Sequence, residues 1–588
     1  MILQALVRYY EDLLARSVLS APGWTNEKVC WGLELTPDGQ IAAVYDLQNT
    51  VTRGKKTVRV PKLQCVPDRV KRTVSVVPNF LCDNSSYILG VDAKGSPERS
   101  LQCFNACHDL HLAILKDLPG PAAAAVCRFF ETWQPEHAAE DPVLSPFLPE
   151  ILKGGNLVFL GPNSSQCVAD DDNIRAAWQQ YNSRDTAADL TRCLVTGKLA
   201  PMARLHPVIK GVVGAQSSGA SLVSFNAESF CSYGHEQGAN APVSSYAAFA
   251  YTQALNYLLS DAERQNGHIQ RVGDTTVVCW AEGGSPAAQD MAQSVLFCNV
   301  DILPDNCDFS WLYDLVNRLA HGKAADWQGA LLDPNTPFYV LGLAPNAARL
   351  SVRFFFHDTL GQFAKNVQKY YTDIKIIRPS YDRFEYISPY WLLQETVNKK
   401  ASNPAPAPQL NGSLLDAVLK GTPFPATLLN NTTLRIRAEH TVTRGRAAIL
   451  KGYYLRLLDD SHPMKEVLTV ELNKDSQYLP YVLGRLFSIF ESIQSATNPN
   501  LNTTIKDRYF NAASSTPANV FPVLMNLAQK HMQKLSDAQK VYYNKQITDL
   551  LNRIDKTLPT RFTLVEQGAF QIGYYHQTQD RFTKKEEV

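Results

Sequence analysis

The chain has 588 residues, in which 57 Lys and Arg oppose 56 Asp and Glu for a net charge of +1. At roughly 100–200 residues per domain, this length predicts several folding units with their own cores and excludes a small scaffold stapled by disulfides. Near-neutrality excludes whole-chain charge as a reason to bind nucleic acid or membrane, so any electropositive surface has to arise from local segregation.

No apolar run approaches the roughly 18 residues of a membrane span. The first apolar stretch is interrupted by Arg8, Glu11 and Asp12, unlike the core of a signal peptide. The 12 cysteines have no paired framework spacing and are expected to be reduced thiols, packed as small hydrophobes in a cytoplasmic protein.

In chain order, Ile2, Leu6, Tyr10, Leu13 and Leu14 fall on one face of an opening helix. Alternating residues over Trp31–Leu35 and Gln40–Tyr45 flank Thr36-Pro37-Asp38-Gly39, the pattern of a β-hairpin. Further strands are expected at Thr57–Val60, Leu157–Leu160, Thr276–Trp280, Phe338–Leu343 and Leu350–Phe356. Helices are expected between them, one starting at Pro242 and one carrying Leu360, Phe363, Val367 and Tyr371. The stretch 398–412, with Pro404, Pro406 and Pro408, reads as an extended connector. Beyond it the strand signal fades, helical spacing runs over Leu479–Ile493, and Ser536-Asp-Ala-Gln539 and Thr563-Leu-Val-Glu566 form capping boxes. The expected fold class is α+β: a mixed α/β region with β-hairpins over 1–397, a linker over 398–412 and an all-α helical bundle over 413–588.

The strongest charge anomaly is Arg53, Lys55, Lys56, Arg59, Lys62, Arg69, Lys71 and Arg72 against the single acid Asp68. Pro61 and Pro67 make this strand and loop rather than helix, which suits a segment reaching for a phosphate backbone. Directly after it, Asn79 and Asn84 offer amides to base edges and Phe80 an aromatic platform, while an Asx-rich turn accounts for the same residues. A second basic cluster, Arg435, Arg437, Arg444, Arg446, Lys451 and Arg456 around Glu439, falls in the helical region and is a candidate to line the same polyanion. Gly214-Ala-Gln216-Ser217-Ser218-Gly219-Ala220-Ser221 has the glycine spacing of a P-loop, with Ala220 where the phosphate-binding lysine belongs. Nucleotide hydrolysis by that route is therefore not expected, but such a loop can bring backbone N–H groups and amides close to a nucleic acid. Asn226 follows in the same polar stretch. Cys103, Cys107, His108 and His111 share a predicted helix, and His357-Asp358 ends a strand. Neither set has the further ligands a metal site needs, and no nucleophile–base pair stands out by spacing.

Long stretches of the chain resemble a known family, the large subunit of the type I-C CRISPR Cascade surveillance complex. The resemblance lies in the opening Met1-Ile-Leu-Gln-Ala-Leu-Val-Arg-Tyr-Tyr10, in Asn79-Phe-Leu-Cys-Asp-Asn84 with Tyr87 and Leu89-Gly90, in Gly214–Asn226 with Ser232-Tyr233-Gly234, in Gln237–Val243, in Leu341-Gly-Leu-Ala-Pro-Asn346 with Arg349, and in Ile505-Lys-Asp-Arg-Tyr509. It implies a non-catalytic subunit without cofactor or metal that recognises the protospacer-adjacent motif (PAM) in double-stranded DNA. It also implies help in strand separation and R-loop formation, and recruitment of a helicase-nuclease acting in trans. Implied partners are the crRNA-containing Cascade backbone and handle-binding subunits, and a small subunit that the C-terminal bundle resembles. In such a family the small subunit can be translated from an internal start, for which Met464 is the candidate here. Lys506, Arg508, Lys530 and Lys534, with Arg435, Arg437, Arg444 and Arg446, then become R-loop strand contacts. Asn79, Asn84, Gly214, Gln216, Ser217, Ser218, Gly219 and Asn226 become the PAM-reading candidates. The competing expectation is a metal-dependent nuclease of the same defence system.

Overall fold

The computed structural model describes residues 1–53, 56–69, 76–93, 96–162, 164, 166–183, 190–297, 310–402, 404–499, 501–555 and 557–582. Two compact units emerge from its contacts, one made of Met1, Leu3–His206 and Phe225–Gln253, the other of Ile2, Pro207–Ser224 and Ala254–Val588. The expected limits at 397 and 413 both lie inside the second unit.

In the first unit the opening helix, Ile2–Ala15, buries Leu6, Tyr10 and Leu13 as its periodicity requires. Strand β1 (Trp24–Leu35) turns through Gly39, at φ +81°, into β2 (Ile41–Asp46), forming the expected hairpin with Leu33 opposite Val44. β3 (Asn49–Arg53) and β4 (Lys56–Val60) form a separate two-stranded ribbon. β5 (Lys62–Pro67) returns antiparallel along the first half of β1, while β6 (Cys82–Asp83) and β7 (Asn156–Leu160) extend the sheet on the other side, β7 parallel to β1. Helices Pro97–Leu115 and Pro121–Thr132 contribute Phe104, Phe129 and Phe130 to a core that also takes Phe80 and Phe159. A short ribbon, β8 (Leu190–Arg192) with β9 (Leu199–Pro201), follows. Helix Ser245–Leu258 begins three residues after Pro242, so that proline precedes the helix rather than occupying its first turn.

In the second unit, β10 (Gln270–Val272), β11 (Thr275–Ala281), β14 (Pro337–Asn346) and β15 (Arg349–Thr359) form an antiparallel sheet in that order, and β12 (Ala325–Trp327) pairs with β13 (Ala330–Leu332). β11 and β14 are central, and both are buried along nearly their whole length. β15 lies at the edge, where Phe354 and Phe356 are buried while Arg353 and Phe355 are only half-buried. From Pro408 onward helices dominate: Pro408–Lys420, Ala426–Glu439, Arg444–Leu457, Leu479–Thr497, Ile505–Ser515, Pro517–Met532, Asp537–Leu551 and Leu564–Asp580. The fold is therefore α+β, as expected.

Residues 408–412, read as linker, are instead the first turn of a helix seated on β15. Asn411 is fully buried, and a Cβ on Gly412 would lie 3.0 Å from that of Arg353. Pro408 starts this helix because a first-turn position needs no amide proton. One continuous core runs from Val272 in the sheet to Tyr575 in the last helix. Both expected capping boxes are present, with a third at Thr504 and Asp507. No helix among the described residues is long and apolar enough to cross a membrane.

Candidate nucleic-acid interface

The basic segment of the first unit separates into two kinds of residue. Arg59 is 66% exposed on β4 and reaches Asp46 at 2.7 Å, a surface pair of small energetic consequence. Lys62 is exposed at the start of β5. Arg69 is not free for phosphate, because its guanidinium lies 3.4 Å from Glu27 and 4.0 Å from the fully buried carboxylate of Asp83. Lys55, Lys71 and Arg72 lie outside the described residues, as do the side chains of Arg53 and Lys56.

The Asn79–Asn84 turn is built around that same carboxylate. Asp83 accepts the backbone N–H groups of Asn79 at 3.0 Å and Asn84 at 2.9 Å. Leu81, held at φ +57°, donates its N–H to Nε2 of His111 at 2.9 Å, and Nδ1 of His111 lies 2.7 Å from the Cys107 carbonyl oxygen. This fixes the tautomer: Nδ1 carries the proton and donates, Nε2 accepts, and burial pushes the His111 pKa down to about 4. Both ring nitrogens are thus consumed by the fold. Phe80 is fully buried, stacked on Trp178 with ring centroids 5.2 Å apart. Asn79 is only 2% exposed. The expectation that Asn79 and Phe80 face bases is corrected here, since they are buried in the core within an Asx-rich turn held together by the Asp83 carboxylate. Asn84 is half-buried at the start of the short helix Ser85–Ile88.

The Gly214–Gly219 loop has the opposite character. Its stem is locked: Ile209 and Ala220 exchange backbone hydrogen bonds at 2.9 and 2.8 Å, the Val213 N–H donates to the Thr276 hydroxyl at 3.1 Å, and Arg264 donates to the Gly211 carbonyl at 2.9 Å. Ser221 and Leu350 add hydrogen bonds at the edge of the sheet. Gly219, at φ +103°, admits no side chain, because a Cβ there would stand 2.9 Å from Val208. On this rigid stem Gln216, Ser217 and Ser218 are exposed at the tip, and Gly214 is exposed beside them. Asn226 is exposed too, but it belongs to the first unit with Asn79 and Asn84, whereas 214–219 belong to the second.

The helical region divides in the same way. Arg444 is about nine-tenths buried and donates to Asp382 at 2.8 Å and to the Phe384 and Glu385 carbonyls. Arg446, 3% exposed, donates to the Glu439 carboxylate and to the Thr441 carbonyl at 2.9 Å. Arg437 donates to Gln567 at 2.7 Å, Arg435 lies 3.6 Å from Glu439, and Lys506 lies 3.6 Å from Glu491. Arg444 and Arg446 are therefore internal braces and not strand contacts, since a buried guanidinium is retained only with its charge and donors satisfied. Arg508, Lys530 and Lys534 are exposed. Charge counting along the sequence does not separate these two sets, and it also passes over an aromatic stretch, Tyr381–Trp391, that the fold leaves on the surface.

Among the described residues no three His, Cys, Asp or Glu side chains are arranged to hold a metal ion. A sequence model of the family described as "CRISPR-associated protein (Cas_Csd1)" matches residues 6–582. No curated protein matches the chain.

Proposed function

The chain belongs to the CRISPR-associated Cas_Csd1 family, which indicates a large subunit of type I-C Cascade, and from that premise we propose that it reads the PAM in duplex DNA without itself being an enzyme. The observation that carries this reading is the loop tip Gln216-Ser217-Ser218: exposed amide and hydroxyl groups on a stem fixed by the sheet, with exposed Gly214 permitting close backbone approach while Gly219, expected to do the same, is buried against Val208. Donors and acceptors held in advance lose little freedom on meeting a groove, so their hydrogen bonds discriminate between bases. Guide pairing then reads the remaining sequence, and the protein holds the opened strands. Exposed Arg59, Lys62, Arg508, Lys530 and Lys534 supply sequence-independent phosphate contacts. In the cytoplasm the partners are the crRNA-bearing Cascade subunits, the small subunit, target duplex and a helicase-nuclease that cleaves in trans.

The test is selection of duplexes with a randomised motif by the assembled complex. Gln216→Ala is expected to cost about 1–3 kcal/mol on the motif selected by the parent protein and markedly less on other motifs. Equal loss on all duplexes sinks the base-reading role. Cleavage of duplex by the purified chain with magnesium or manganese alone sinks the non-catalytic one.

A further inference from the structure

The segment Lys375–Lys400 joins the sheet region to the later helices and carries five aromatic residues, Tyr381, Phe384, Tyr386, Tyr390 and Trp391, interleaved with five cations and three acids. A folded chain normally withdraws such rings from water. Here Tyr381 is 85%, Trp391 55%, Phe384 48% and Tyr390 42% exposed. They line a cavity of about 430 Å³ whose lining also includes Thr443, Arg444 and Gly445, the N-cap and first residues of helix Arg444–Leu457.

The cavity is built rather than incidental. Arg444 ties the loop from Asp382 to Glu385 in place through its two terminal nitrogens, while its buried Nε has no hydrogen-bond partner among the described residues. Thr443 caps the helix by accepting the Arg446 N–H at 3.2 Å and donates its hydroxyl proton to Glu395 at 2.7 Å. Of the acids lining the cavity, Asp382 is paired with Arg444 at 2.8 Å, and Glu395 lies 3.5 Å from Arg446, which it shares with Glu439. At and near the rim this puts Lys399, Arg383 and Lys400 together with the exposed acid Glu385. Around the mouth three exposed cations thus outnumber the one exposed acid. The N-terminal end of a 14-residue helix adds its partial positive charge to the floor.

We propose that this cavity holds unpaired nucleotides of a single strand, with bases stacked on Tyr381 and Trp391 and backbone phosphate drawn to Lys399 and the neighbouring Arg383 and Lys400. Rings that accept any base face, set beside cations that track a backbone, are the recurring chemistry of single-strand binding. A purely apolar occupant is disfavoured by the tyrosine hydroxyls and the cationic rim. This inference rests on the nucleic-acid reading above but concerns a different surface from the Gln216 loop.

The test uses the full chain, an oligothymidylate and an oligouridylate of about 20 nucleotides, longer than one typical site, and a motif-bearing duplex. Tyr381→Ala and Trp391→Ala are each expected to weaken single-strand binding about tenfold or more, with duplex binding within twofold and the salt slope unchanged. Tyr381→Phe, which keeps the ring, is expected to bind like the parent. Comparison of the two oligomers assigns the strand to DNA or RNA. Unchanged single-strand affinity in both alanine variants overturns the inference, as does a parent chain that binds neither oligomer, or equal losses on duplex and single strand. Alanine losses on the single strand, together with an absence of motif discrimination by the parent, overturn only the PAM-reading proposal.

Discussion

His268 shows how a single residue couples this fold to pH. Its Nδ1 donates to Glu263 at 2.6 Å and its Nε2 to Asp290, so the ring is held as an imidazolium between two carboxylates, and those hydrogen bonds, led by Asp290, push its pKa up to about 9. A raised pKa stabilises the folded state fully below the unfolded value near 6.5, and that contribution is lost as pH rises through about 9. At about 1.4 kcal/mol per pK unit the loss is of the order of 3 kcal/mol. Lys451 acts with opposite sign: burial pushes its pKa down to about 8, so it favours folding increasingly as pH rises from there toward 10.5. The measurement is therefore a difference. Urea midpoints of the parent and of His268→Gln are expected to diverge most at pH 6 and to converge by pH 10, and a constant gap across that range contradicts the assignment.

At the scale of elements, the surface of helices Ile505–Ser515 and Pro517–Met532 is the counterpart of the buried start of Arg444–Leu457. Arg508 and Lys530 on the first pair, with Lys534 just beyond, are solvated, so neutralising each is expected to lower the log–log salt slope of DNA binding by about one with stability nearly unchanged. Arg446→Ala is expected to do the reverse. It removes a guanidinium that is 4% exposed and bridges Glu439 and Glu395, costing about 3 kcal/mol of stability with no change in salt slope. Melting curves and binding isotherms at several salt concentrations, taken on the same variants, separate the two outcomes. A salt slope that falls for Arg446→Ala and not for Arg508→Ala reverses the assignment.

For the whole molecule, the position of Met464 is informative. It is fully buried in the turn Pro463–Val467, ahead of five helices. A close helix crossing lies beyond it: at Gly484 a Cβ would fall 2.0 Å from the Phe570 carbonyl oxygen, and at Gly573 2.3 Å from that of Tyr481. A product starting at Met464 has 125 residues and keeps this crossing, whereas a start at Met525 deletes helix Leu479–Thr497 and destroys it. It forfeits the hydrogen bonds from Tyr454 to Leu564 and from Tyr575 to Ile377, so it is expected to be less stable alone than within the chain. Mass spectrometry of complexes made from the native gene is expected to find a fragment beginning at Met464. Its absence, or a start at Met525, refutes the internal start.

What the residues determine without the fold is whatever depends on neighbours a few positions away. The hairpin through Gly39, the capping boxes at Ser536 and Thr563 and the helical spacing of Leu479–Ile493 are all visible locally, because turns, caps and periodicity are short-range. The long matched stretches that carry the family resemblance are likewise a property of the chain read in order. Solvent exposure is not local, and it decides the candidate site. Asn79 and Gln216 are both amides in turn-rich, glycine- or Asx-bearing segments, yet the first is buried in the core with its N–H on Asp83, and the second stands on a loop tip. Arg444 and Arg508 differ in the same way, since the partners that bury Arg444 lie some 60 positions earlier in the chain. A charge becomes a brace or a contact according to which distant groups pack over it, and only the tertiary structure brings those groups together.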